Sequence, residues 1–168
     1  MAVRSQEHVA CAREPYARTD GKTRRTVITL LAYDATQEGQ DSLFQAPELA
    51  WLSHEQVHLL AVMPIPTGLF LGEGYVPGEV LDQERAQAQT QVDRGVAELR
   101  QRGFTAAGHL AFGEPVEEIC RAARDLHVGL IVVRHPKRMS FAARWWKGWI
   151  GSSLLEHAPC SLLIAVSG

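Results

Sequence analysis

Residues 113–133 read GEPVEEICRAARDLHVGLIVV, and two rhythms meet inside them. Val116, Ile119, Cys120, Ala123 and Leu126 recur at three- and four-residue intervals, which places them on one face of a helix over 114–126. Pro115 falls near the first turn, where its missing N–H breaks no hydrogen bond. At Gly129 the pattern changes: GLIVV (129–133) is unbroken and β-branched, as in a strand covered on both faces. A helix feeding a doubly buried strand is half of a parallel crossover unit.

The same alternation extends in both directions. TVITLLA (26–32), VHLLAVM (57–63) and SLLIAV (161–166) read as buried strands, and TAAGHLA (105–111) as a weaker one. Leu81, Ala88, Val92, Val96 and Leu99 predict an amphipathic helix over 79–102. Between Glu38 and Ser53, Leu43, Ala46, Ala50 and Trp51 have helical spacing, but Pro47 interrupts them. An interior proline costs about 3 kcal/mol, so a kink or a split is expected there. PIPTGLFLGEGYVPG (64–78) is a long connection rich in Gly and Pro. The order β-α-β-α-β-α-β-α-β, with right-handed crossovers, predicts an α/β, Rossmann-like fold: a doubly wound, five-stranded parallel sheet in the order 3-2-1-4-5. Its switch point falls between the first and fourth strands, at Tyr33–Asp34 and Arg134–His135, where ligands bind such sheets.

Bulk properties narrow the class. A chain of 168 residues, 46% hydrophobic and 21% charged, fits one folded domain. Residues 1–25 carry no periodic pattern and hold six Lys/Arg against three acids, so they read as an N-terminal extension to a domain over 26–168. A net charge of −2 gives no general pull toward nucleic acid. No apolar run approaches the ~20 residues of a membrane-spanning helix, and the first 25 are too polar for a signal peptide. Cys11, Cys120 and Cys160 have neither disulfide nor metal spacing, which fits packing roles in a reducing cytoplasm.

The chain resembles the universal stress protein family, with its adenine-nucleotide alpha-hydrolase-like fold, over about residues 26–166. The match is carried by VITLLAYD, VHLLAV, GEPVEEICRAARDLHVGLIVV and HAPCSLLIAV. The resemblance implies that Asp34 contacts the ribose or adenine end of a nucleotide and that the Val62 backbone contacts adenine. Nucleotide-binding members resemble GxxG, nine residues, then G[ST], because glycine amides close on phosphate oxygens at a helix N-terminus. Counting back from His157 puts those positions at His135, Arg138, Gly148 and Trp149, so only Gly148 matches. A rival register through Gly151–Ser152 restores the last pair but puts Arg138 and Phe141 in the first two places. A side chain held at positive φ costs about 1–2 kcal/mol and would fill the phosphate's space. The motif reads as degenerate, resembling the branch of the family that does not bind ATP. No cofactor is expected; ATP or another adenine nucleotide is the alternative.

In place of a glycine cradle, Arg134, Lys137, Arg138, Arg144 and Lys147 stand in a stretch without acids between Asp125 and Glu156. This is either a solvated basic face or an anion site built from side chains. Trp145, Trp146 and Trp149 either pack on the sheet or a neighbouring loop, or form a patch for a protein partner or a membrane surface. The last strand, with Leu162, Leu163, Ile164, Ala165 and Val166, is an uncharged edge in the predicted order. The resemblance implies that two copies pair along it as a homodimer. No catalytic or metal constellation is legible: HExxH, GxSxG and GxxxxGK[ST] are absent, and the seven histidines show no ligand spacing. A receiver domain would need Asp after the third strand and Lys after the fifth, where Ala111–Phe112–Gly113 and Val166–Ser167–Gly168 stand. The expected function is a cytoplasmic, dimeric, non-enzymatic stress-response binding or regulatory module. A nucleotide-dependent switch or weak ATPase is the alternative.

Overall fold

In the computed structural model, which describes residues 27–46, 49, 56–64, 78–135 and 150–166, every strand pairing is parallel. The strands are β1 (Thr29–Tyr33), β2 (Gln56–Met63), β3 (Thr105–Phe112), β4 (Leu130–His135) and β5 (Ser161–Val166). The helices are α1 (Gln37–Phe44), α2 (Gly78–Gln101), α3 (Pro115–Asp125) and α4 (Ile150–His157). The sheet order is β3-β2-β1-β4-β5, as predicted from the alternation of helix and strand.

Alternation along the central strands explains the two layers. Leu31 and Tyr33 of β1, with Val57, Leu59 and Ala61 of β2, face Leu43 and Phe44 of α1 and Val92, Val96 and Leu99 of α2. Leu30, Ala32, Leu60 and Val62 point the other way, onto Val116, Ile119, Cys120 and Ala123 of α3 and Leu154 of α4. All five residues of β1 are buried, which is why its sequence shows no polar alternation.

The helix ends follow local chemistry. Thr36 caps α1, its Oγ1 accepting from Gly39 N at 2.9 Å. That helix stops at Phe44, and the Ala46 and Leu49 amides turn back to the Leu43 and Ala46 carbonyls. The chain thus leaves the helix before Pro47, which is the expected split; Pro47, Ala50 and Trp51 lie outside the described residues. In α3, Pro115 takes the first position, and the Glu114 carboxylate caps Glu117 N at 2.9 Å. Past its end, His127 adopts φ 53 while Val128 N reaches Ala123 O at 2.9 Å.

Two strand boundaries differ from the sequence reading by more than one residue. Pairing of β1 is regular from Thr29 rather than Thr26, because the Ile28 carbonyl meets both Gly129 N and Leu130 N, and Val27 is exposed. β4 runs on through Arg134 and His135, level with Ala165 and Val166 of β5. The expected extension, residues 1–25, and most of the Gly/Pro-rich connection, 65–77, lie outside the described residues.

Candidate binding crevice

The order of the sheet reverses between β1 and β4, so the crevice expected there opens at the carboxyl ends of those strands. β1 ends at Tyr33, level with Ala61 of β2, and Asp34 follows at once. Val62 is the next residue along β2; its side chain is fully buried against the α3 layer, which leaves only its backbone for any contact in the crevice.

Asp34 is built into a tight turn. Its Oδ1 accepts from the Thr36 hydroxyl at 2.6 Å and from Thr36 N at 3.2 Å, and the Thr36 oxygen in turn accepts from Gly39 N. Ala35 between them sits at φ 57, a conformation that costs a non-glycine residue about 1 kcal/mol and that these bonds hold in place. A Cβ at position 39 would collide with Asp34 Oδ1, so the α1 terminus approaches the carboxylate only because residue 39 is glycine. Thr36 and Gly39 were not singled out from the sequence. The available signal was Asp-x-Thr ahead of a helical stretch, a helix-start pattern.

A second layer of contacts fixes the end of β1. The Gln40 side chain, 1% exposed, donates from Nε2 to the Tyr33 hydroxyl at 3.2 Å and to the Gln91 carbonyl at 3.0 Å. Gln91 donates onward to Gln37 Oε1 at 3.2 Å. Burial, the largest influence, pushes the Tyr33 phenol well above its ordinary range, so it stays protonated at neutral pH. This network ties β1, α1 and α2 together beneath Asp34. Gln40 stands three residues before Leu43 on the face that periodicity buries, but the partners that satisfy its amide there are a tertiary result.

Arg134 lies within β4, half-buried and level with Ala165. Gly151 and Ser152 fall in the first turn of α4. Lys137, Arg138, Gly148, Trp145, Trp146 and Trp149 lie outside the described residues. In β5, Leu162, Leu163 and Ile164 are half-buried and Ala165 is buried, and β4 is the strand's sole partner among the described residues; Val166 is level with His135.

A cleft of about 740 Å³ opens elsewhere, between α3 and α4. Glu114, Glu117, Glu118 and Glu156 outnumber Arg121 and Arg124 along it, an electrostatic setting that disfavours a phosphate. Cys120 and Cys160 are free thiols packed in the α3 layer, each raised above its ordinary pKa chiefly by burial, which makes them poor nucleophiles at neutral pH. No group of three or more His, Cys, Asp or Glu that could hold a metal occurs among the described residues. The sheet does bring His58 and His109 together, with His58 Nδ1 and His109 Nε2 2.8 Å apart, a pairing that their separation in sequence concealed. No described helix is long and apolar enough to cross a membrane.

Comparison with known proteins places this geometry. The hypothetical protein MJ0577 superposes with a TM-score of 0.64 at 20% identity, covering 85% of this chain and 97% of that one. A universal stress protein family member from Burkholderia pseudomallei gives 0.59 at 26% identity, covering 85% and 98%. An Arabidopsis thaliana family member solved with AMP bound gives 0.57 at 13% identity, covering 84% and 92%. No curated protein matches the sequence. The profile of the universal stress protein family matches residues 28–165, from the approach to β1 to the penultimate residue of β5, and the chain therefore belongs to the universal stress protein family.

Proposed function

We propose that this protein is a non-enzymatic stress-response module of the cytoplasm, whose crevice keeps the nucleoside end of a nucleotide site but has lost the phosphate end. The observation that carries this reading is at His135. In the register counted back from His157 the first glycine of the phosphate motif falls there, yet His135 is the last residue of β4, in ladder register with Val166. A strand residue with a side chain is a poor start for a loop whose amides must close on phosphate. Arg138 in place of the second glycine adds bulk and charge. Asp34, held by Thr36 and Gly39, supports retention of the other half.

Output through protein contact follows from the same reading. The uncharged edge β5 would pair with β5 of a second copy, and Trp145, Trp146 and Trp149 supply aromatic anchors for another protein.

The test is direct. Calorimetry with ATP, AMP and cAMP, with mass spectrometry of ligand extracted from purified protein, is expected to give no adenine nucleotide and no heat at millimolar concentration. A co-purifying adenine nucleotide whose binding is lost in Asp34→Ala would overturn the reading in favour of a nucleotide-dependent switch. The AMP bound by the Arabidopsis relative is what keeps that second reading in view.

A further inference from the structure

We propose that His58 and His109 form a two-histidine site for a divalent transition-metal ion, Cu²⁺ foremost, on the α3-facing side of the sheet. In the β2–β3 register His58 is level with Ala107 and His109 with Leu60, so the two side chains are diagonal neighbours on one face. The rings lie 5.0 Å apart at 37°, with His58 Nδ1 and His109 Nε2 2.8 Å from each other. Two nitrogens on adjacent corners of a tetragonal ion, each about 2.0 Å from it, are about 2.8 Å apart, whereas tetrahedral corners need about 3.3 Å. The spacing therefore fits a square-planar or tetragonal ion better than a tetrahedral one.

The protonation state suits a ligand. Burial holds both imidazoles below their ordinary pKa, and for His58 the neighbouring His109 adds to the effect. Both rings are therefore neutral at pH 7, with a lone pair available on each. Gln56 Nε2 lies 3.3 Å from His58 Nε2. In the metal-free pair one N–H bridges the two rings. On binding, that proton moves to the far nitrogen, His58 Nε2, and a half-turn of the exposed Gln56 amide presents Oε1 to accept it. Each ring then turns so that its lone pair points at an ion seated beside the Nδ1···Nε2 line, with no net proton lost. An outer hydrogen bond of this kind fixes the tautomer of a ligating histidine. His58 is nearly buried, but His109 on the edge strand is half-exposed, which leaves a path for the ion and room for water to complete its coordination.

Calorimetric titration of the tag-free full chain with CuCl₂, buffered by glycine, is expected to show one equivalent bound, more tightly than Ni²⁺ or Zn²⁺. His58→Gln or His109→Gln should weaken that binding at least about tenfold, and Gln56→Leu by about tenfold; His157→Gln should leave it unchanged. Because His58 packs in the fold, His109→Gln and amide NMR provide the independent readout. Substoichiometric Cu²⁺ should broaden the resonances of residues 56–60 and 107–111 first. Absence of binding, equal affinity in His109→Gln, or broadening centred elsewhere would each overturn the site. None of these outcomes bears on the nucleotide crevice.

Discussion

The sheet ends differently on its two sides. At β3 the edge is finished by the chain itself. Gly108 lets α2 settle so closely that a Cβ there would lie 2.5 Å from Val92 Cγ1 and 2.8 Å from Val96 Cγ2. Arg100, near the end of the same helix, donates from Nε at 3.1 Å and from its terminal nitrogen at 2.8 Å to the Ala106 carbonyl, placing a cation on the edge. Arg85 lies over the Phe112 ring at 4.5 Å and closes the far end. At β5 the described residues provide nothing comparable: Leu162, Leu163 and Ile164 are half-buried, and the strand carries no charge. An edge that carries a charge resists pairing with another chain, and a plain apolar one invites it. Among the described residues, the β3 edge is closed by its own side chains and the β5 edge is not, which is the contrast on which the proposed pairing rests.

The comparison can be broken most forcefully at Gly108. Gly108→Val forces α2 off β3 and should lower unfolding stability by about 3 kcal/mol, read from the denaturant midpoint at unchanged slope. A loss below about 0.5 kcal/mol would mean that β3 is not closed by that packing. Next, Ile164→Lys puts a charge on β5 and should weaken self-association by about thirtyfold, near 2 kcal/mol, in sedimentation at tens of micromolar, with the monomer still folded. A wild-type chain that sediments as a monomer would remove the proposed role of this edge outright. Arg100→Ala should cost about 1 kcal/mol of stability and raise aggregation on heating, with Arg100→Lys recovering part of the loss. The smallest effect is expected for Arg85→Gln, about 0.5 kcal/mol, because the ring remains covered by the substituted side chain.

The crevice shows where sequence reading succeeds and where it stops. Asp34 was legible because an acid directly after a buried run marks a strand's carboxyl end. Its partners were not, since Thr36 and Gly39 matter through a turn in which Ala35 takes a left-handed conformation that no periodicity signals. His58 and His109 stand fifty-one positions apart and meet only because β2 and β3 pair in one particular register.

What the sequence alone determined is the layered plan: helix and strand alternate, the central runs are apolar on both faces, and right-handed crossovers then allow few sheet orders. The loss of the phosphate motif's glycines is proposed from the sequence alone, because a local backbone requirement is written in consecutive residues. Tertiary structure decided what depends on distant chain segments meeting: the burial of Gln40 between Tyr33 and Gln91, the histidine pair, and the closing of the β3 edge by Arg100. The physical reason is that periodicity fixes which face a residue takes, while register and helix approach fix which partner it finds there.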